Sequence, residues 1–274
     1  MEFIIVNGEI VEKEEANLTS FFWHVSIPLS QKMWYGFGGI PLFSENLNSI
    51  IQQLELFGTK LPEVLLHERE LFRITKRMLN KNKFYRSGII LFQFYISKTE
   101  INYVIKSSAF SGFDFPISEK GILVHFSDFK NNSQNPLQKF SFSNHATWSI
   151  EEAKNEKIGM KNSIFLNEHG KVCNGIASNI FMIKDNVLFT PALKTGCYFD
   201  NLTPFIIESA KRNKIKVFET DDVGKEILLE MTEIFLASEA RGIEWILGIN
   251  KKRFVHRHSL DIHKKLNKIL KGDF

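Results

Sequence analysis

Cysteine is scarce. Cys173 and Cys197 are the two in 274 residues, too few for a disulfide scaffold and in keeping with a reducing cytoplasm. No run approaches the roughly 18 apolar residues of a membrane span, so a soluble protein is expected. The first residues, Met1-Glu2-Phe3-Ile4-Ile5-Val6, lack the basic start and long apolar middle of a secretion signal. Asn7-Gly8 ends them like a turn, and they read as a first strand. No internal repeat or low-complexity tract is present. Charge of one sign is also lacking, because 35 Lys and Arg face 31 Asp and Glu, and the net +4 is spread along the chain. The basic pieces Lys76-Arg77 through Lys83 and Lys251-Lys252-Arg253 therefore read as solvated surface, not as a nucleic-acid footprint. What the chain does have is apolar content. At 43% it supports a substantial core in one large or two modest domains.

Strand patterns are expected at Phe3–Val6, Glu9–Val11, Phe21–Ile27 and Lys32–Tyr35. Gly36-Phe37-Gly38-Gly39 follows; without a succeeding Lys-Ser/Thr it reads as a hairpin turn, not a phosphate loop. Leu47, Ile50, Ile51, Leu54 and Leu56 carry helical spacing from Ser44 through Phe57, with Gly58 closing. A second helix places Val64, Leu65, Leu71, Ile74 and Met78 on one side. Gly88–Ile96, Ile101–Ser107 and residues 122–126 read as strands. Ser149 is expected to cap a helix through Glu156, with Glu151 and Glu152 in its first turn. Later come strands at Ser163–Leu166, Ile215–Phe218, Glu233–Ala237 and Trp245–Leu247. Helices are expected near Thr203–Asn213, Lys225–Met231 and Asp261–Leu270. Strands and helices interspersed in both halves indicate an α/β or α+β protein. The polar, proline-ended stretch 127–136 is the expected linker between domains at 1–126 and 137–274.

The most informative stretch is 170–191. Val172, Ile180 and Phe181 flank the small-residue run Gly175-Ile176-Ala177-Ser178-Asn179, and Val187-Leu188-Phe189 stops at Thr190-Pro191. Small residues beside strands let a ligand or a second backbone come close. This segment resembles the class IV aminotransferase signature, Gly-x-Val-x-Glu-x-x-x-Ser-Asn-Ile-Phe followed by Thr-Pro, with Asn174 in place of the glutamate. The resemblance extends to Asn7-Gly8, Gly39-Ile40-Pro41, Asn135-Pro136-Leu137 with Asn144, Gly196 to Thr203, and Ile234 to Ile243. It implies a two-domain fold of the D-amino-acid aminotransferase type, the cofactor pyridoxal 5'-phosphate (PLP), amino acid or 2-oxo acid substrates, and a homodimer. Phe21, Phe22, Trp23, Trp34, Tyr35 and Phe37 are candidates for the subunit contact, and core packing explains them equally well.

PLP chemistry needs a lysine for the internal aldimine, a carboxylate that keeps the pyridine nitrogen protonated, and a cationic or helix-terminal seat for the phosphate. The resemblance puts the lysine position at Ser141, which forms no stable Schiff base. Lys139, two residues earlier and roughly 6.6 Å away if the segment is extended, is the candidate substitute; a surface lysine is the other reading. Asn174 can hydrogen-bond a ring nitrogen but supplies no charge, and it could equally serve a turn. Ser49 stands at the phosphate arginine and loses the bidentate grip. Leu202, Thr203 and Ser238 fall on the retained phosphate side, with Thr203 equally an N-cap candidate.

His256, His258 and His263 lie close in sequence but have no nearby carboxylate except Asp261, so no metal site is expected. Ser141, Asn144 and His145 are too far apart on a strand to act as a nucleophile with its base. Cys173 and Cys197 read as small buried fillers. The expected function is therefore a class IV aminotransferase-like protein that has lost ordinary Schiff-base catalysis and carries no covalent PLP. The alternative is an active aminotransferase or aminodeoxychorismate-lyase-like enzyme that uses Lys139.

Overall fold

The computed structural model describes residues 2–22 and 27–272. The chain divides into two compact units, Met1–Phe115 and Pro116–Phe274. The linker expected at 127–136 does not separate them. Residues 127–131 complete a strand of the second unit, and Phe129 packs there against Trp148 and Tyr198. Alternation of Asp128 and Lys130 with Phe129 is the period of a half-buried strand, which resembles a linker when only polarity is read.

In the first unit the described elements are β1 (Phe3–Val6), β2 (Glu9–Glu12), β3 (Ile27–Tyr35), α1 (Phe43–Glu55), α2 (Glu68–Lys81), β4 (Ser87–Ile96) and β5 (Ile101–Phe110). The strands form an antiparallel sheet in the order β2-β1-β5-β4-β3. Asn7 and Gly8, both at positive φ (47° and 97°), close the β1–β2 hairpin as an Asn-Gly pair does. Leu47, Ile50 and Leu54 recur at helical spacing and bury one face of α1. Gly36 and Gly39 exchange backbone hydrogen bonds of 3.1 and 2.9 Å, the expected hairpin turn.

The strand expected at Phe21–Ile27 is not found. Thr19–Phe22 form a 3-10 turn, residues 23–26 lie outside the described residues, and β3 runs unbroken from Ile27 to Tyr35. Phe21, Trp34 and Tyr35 are buried within this unit. Trp34 packs edge-on against Phe37 and Phe115, so these aromatics are core. Phe22 and Trp23, the remaining contact candidates, lie at or within the stretch the structure does not describe.

The second unit contains β6 (Ile122–Asn131), α3 (His145–Ile158), β7 (Asn162–Asn167), β8 (Val172–Gly175), β9 (Ser178–Lys184), β10 (Val187–Pro191), α4 (Thr203–Arg212), β11 (Lys216–Thr220), α5 (Lys225–Leu229), β12 (Glu233–Ser238), β13 (Gly242–Ile249), β14 (Lys252–Arg253) and α6 (Arg257–Lys271). Strand order is β11-β10-β9-β12-β13-β6-β7-β8, and β8 also pairs with β9. The ring β9-β12-β13-β6-β7-β8 therefore closes on itself, which removes its edges. Val124, Ile164, Ile180, Met182, Ile234, Leu236 and Ile246 belong to one buried cluster of this unit. Parallel pairs (β6 with β7 and β13, β10 with β11) sit beside antiparallel ones, and α3 and α4 supply crossovers.

Helix α3 begins at His145, with Asn144 before it, so Ser149 lies inside the helix and not at its cap. Asn144 starts the helix early because its Nδ2 donates to the carbonyls of Gln138 and Phe140 at 2.8 Å each, turning the chain before the helix begins.

Candidate functional site

Buried asparagines organise one end of the second unit. The two-residue turn Ile176-Ala177 joins β8 to β9, with Asn174 opposite Asn179 and Gly175 opposite Ser178. Asn162, on β7, supports the turn from beneath: its Oδ1 accepts from the Ile176 amide at 2.7 Å. Ala177 takes φ 47°, a left-handed backbone that favours glycine.

Asn174 is fully buried. Its Oδ1 accepts from Asn131 Nδ2 at 2.7 Å and from the Tyr198 backbone amide at 3.1 Å; its Nδ2 donates to the Gly175 carbonyl at 2.7 Å. Both lone pairs of the oxygen are thus engaged, and the nitrogen keeps at most one N–H. Asn131 Nδ2 also donates to the Gly196 carbonyl at 2.8 Å. Asn179 completes the set, with Nδ2 donating to the Tyr198 carbonyl at 2.6 Å and Oδ1 accepting from the Asp200 amide at 2.8 Å. Three carboxamides therefore clamp the loop 196–200 against the ends of β6, β8 and β9. Gly196 is required there: φ is +78°, and a Cβ would lie 2.8 Å from the Asn132 carbonyl oxygen.

The same loop presents Asp200 to the start of α4. Asp200 Oδ1 accepts from the amides of Leu202 (3.0 Å) and Glu239 (3.2 Å), while the Tyr198 hydroxyl donates to Oδ2 at 3.1 Å. Burial pushes the Asp200 carboxyl up to about 6 against the opposing pull of these donors, and burial likewise raises the Tyr198 phenol well above its ordinary range. Tyr198 packs edge-on against Trp148 of α3.

The expected site residues are distributed unevenly. Leu202 closes the loop, and its amide is bound by Asp200. Thr203 opens α4, but its hydroxyl makes no capping bond; it is buried without a hydrogen-bond partner among the described residues. Ser238 Oγ accepts from the Arg241 amide at 3.3 Å, beside Glu239. These residues, with Asn174, belong to one neighbourhood linked through Tyr198 and Asp200. Ser49 lies on α1 of the first unit, where its carbonyl accepts from Gln53 Nε2 at 3.0 Å.

Lys139 and Ser141 are not on a strand. Asn132 and Asn135 turn the chain through Asx bonds to Gln134 and Leu137 (2.9 and 3.0 Å). Ser141–Ser143 form a single 3-10 turn leading into α3. Lys139 is exposed, its Nζ 4.9 Å from the Phe140 ring centre. A shared strand face for the two residues is corrected by this turn. The idea of Ser141, Asn144 and His145 as nucleophile and base also loses its strand, and Asn144 Nδ2 is spent on backbone carbonyls.

Elsewhere, His258 has a carboxylate partner that adjacency in sequence does not reveal. Its Nδ1 lies 2.7 Å from Glu233 Oε1, and Glu233 also accepts from the amides of His258 (2.9 Å) and Ser259 (3.2 Å), seating α6. His256 stacks on Trp245 with centres 3.9 Å apart. Both cysteines are buried, and burial raises their thiols, to about 12 at Cys173 and about 11 at Cys197, which keeps them protonated and inert.

Residues 110–247 match the family model for amino-transferase class IV. The chain belongs to the class IV aminotransferase family. A probable branched-chain-amino-acid aminotransferase of Rickettsia bellii is 26% identical across 98% of this chain and 96% of its own length. One from Thermotoga maritima is 29% identical over 53% of this chain and about half (52%) of its own. Among solved structures, the branched-chain aminotransferase of Escherichia coli superposes with a TM-score of 0.84 at 17% identity, covering 99% of this chain and 95% of that one. The PLP form of the Thermobaculum terrenum enzyme gives 0.84 at 16%, covering 100% and 95%.

PLP is the cofactor of this class IV family, and the residues present here fit it poorly. Asn174, which the resemblance sets at the carboxylate position, has its oxygen saturated and brings no charge to a ring nitrogen. The amides of Leu202 and Glu239, on the two segments that resemble the phosphate side, face an internal carboxylate. Sequence reasoning missed Asn131, Asn179, Tyr198, Asp200 and Glu239. Asp200, ahead of Leu202-Thr203-Pro204, carries a local helix-start signal that could have been read; its bond to Glu239 links residues 39 positions apart and had none.

Proposed function

We propose that this chain is a class IV aminotransferase-fold protein that has lost Schiff-base catalysis and acts by binding a small molecule, of the amino acid or 2-oxo acid class, or a protein partner. The observation that carries the reading is the pairing of a hydroxyl at the lysine position, Ser141, with an uncharged carboxamide at the electron-sink position. Asn174 is locked by Asn131, Tyr198 and Gly175, and an amide cannot hold a pyridinium as a carboxylate does. Homodimeric assembly and a cytoplasmic location complete the proposal. In its support, no helix among the described residues is long and apolar enough to cross a membrane, and both cysteines are free and buried.

The alternative is an active aminotransferase or aminodeoxychorismate-lyase-like enzyme in which Lys139 carries the cofactor. Its exposed ammonium, two residues from Ser141, favours this reading. A spectrum of the isolated protein with PLP separates the two. The proposal expects only the free aldehyde band, and thermal-shift screening should then find stabilisation by amino or 2-oxo acids. An aldimine band that disappears in Lys139→Ala establishes the alternative.

A further inference from the structure

Asp200 is only 4% exposed, yet it is not paired with any cation among the described residues. Its carboxylate is held by donors from two separate elements. Leu202, at the start of the ten-residue helix α4, gives one backbone amide to Oδ1 at 3.0 Å; Glu239, just beyond β12, gives a second at 3.2 Å. The Tyr198 hydroxyl meets Oδ2 at 3.1 Å. Amides converging at the positive end of a helix form a seat for an oxyanion. Removed from water, such a seat leaves its donors unsatisfied unless an acceptor is there.

Next along the chain is a donor that the Asp200 carboxylate does not engage. Thr203, 8% exposed, directly follows Leu202 and donates its amide to the Asp200 carbonyl at 3.0 Å, while its buried hydroxyl finds no partner among the described residues. Two amides and a phenol occupy three of the roughly four acceptor sites of the Asp200 carboxylate; a phosphate in the same place would offer further oxygens to neighbouring donors. Asp200 cannot leave easily, because Asn179 Oδ1 holds its amide at 2.8 Å and Asn179 Nδ2 holds the Tyr198 carbonyl at 2.6 Å.

We propose that Asp200 is a built-in occupant of an oxyanion cradle. Its carboxylate stands where the phosphate of an external ligand would sit, so the native chain excludes phosphate esters there and needs no bound anion to keep the loop 196–203 in place. Removing the carboxylate opens the cradle to phosphate. The inference stands on the contacts of Asp200 and is separate from the loss of Schiff-base chemistry: a lysine adduct found elsewhere would refute that loss and leave this arrangement standing.

The test compares the full-length wild type with Asp200→Ala, using inorganic phosphate as the probe. Melting temperature and the amide resonances of Leu202 and Glu239 are followed as phosphate is added. Asp200→Ala should bind phosphate about tenfold more tightly than the wild type, melting higher and shifting both amides. The wild-type amides should stay still. Equal binding by the two proteins, or a folded Asp200→Ala that does not respond, overturns the proposal. If Asp200→Ala does not fold, the wild type alone decides. The Leu202 and Glu239 amides should then titrate together with the Asp200 carboxyl carbon, Glu239 being the other buried carboxyl of the cluster; separate midpoints overturn it.

Discussion

Asn131 and Asn174, 43 positions apart and both buried, meet side chain to side chain at 2.7 Å. The bond joins the end of β6 to β8, and Asn131 then reaches the Gly196 carbonyl. A glutamate at 174 could accept from Asn131 and Tyr198 but could not donate to the Gly175 carbonyl. The carboxamide at 174 therefore belongs to a hydrogen-bonded set built for it.

Asn174→Ala should be strongly destabilising. It strips partners from Asn131 Nδ2, the Tyr198 amide and the Gly175 carbonyl in a site without solvent, and a loss of about 2–4 kcal/mol is expected. Asn174→Glu should also lose stability, by about 1–3 kcal/mol, because a charge is buried without a cation. Urea unfolding of the three proteins checks both. An Asn174→Glu variant as stable as the wild type would show that the site still accepts the carboxylate.

Ala177 should be improvable. Its φ of 47° costs a non-glycine residue about 1 kcal/mol. Ala177→Gly is expected to recover part of this, net about 0.5 kcal/mol after the added freedom of the unfolded chain, read as a higher urea midpoint at unchanged slope.

Asp200 makes stability depend on pH. Its folded carboxyl titrates at about 6, above the ordinary 3.8, because burial disfavours the charge. The folded state therefore binds the proton more tightly than the unfolded chain. Stability from this group falls as pH rises from about 4 to about 6 and is level above that. Asp200→Asn removes the effect. Relative to the wild type, the variant should gain up to about 2–3 kcal/mol of stability between pH 4 and pH 7, measured by urea unfolding across that range.

Glu233 should matter more than its place in a strand suggests. It accepts from the first amides of α6 and from the His258 ring. Glu233→Ala leaves those donors without an acceptor in a buried setting and should cost about 2–4 kcal/mol. Hydrogen exchange should quicken first in α6.

Local chemistry made much of this fold readable. Asn7-Gly8 announced a hairpin, Leu47, Ile50 and Leu54 a helix face, and 170–191 the strand-turn-strand at the centre of the second unit. Errors arose where side chains act over distance. The polar face of β6 looked like a linker because Phe129 has its partners, Trp148 and Tyr198, far along the chain. Ser149 looked like a cap because the turn that starts α3 is made by Asn144 reaching back to Gln138 and Phe140. Trp34 and Tyr35 looked available for a subunit contact because aromatic strands suit a core and an interface alike. Within the site, the motif around 170–191 marked Asn174, while the roles given to Ser141 and Asn174 as replaced residues rest on the family resemblance alone. The closing of the cradle by Asp200 was not legible, since its second amide comes from Glu239.

Covalent attachment of PLP separates the two readings of this protein most directly. The full-length protein is incubated with PLP, reduced with borohydride and weighed intact, with peptide mapping of any adduct. The intact mass should be unchanged. A stoichiometric phosphopyridoxyl adduct on one lysine, Lys139 above all, would contradict the loss of Schiff-base catalysis.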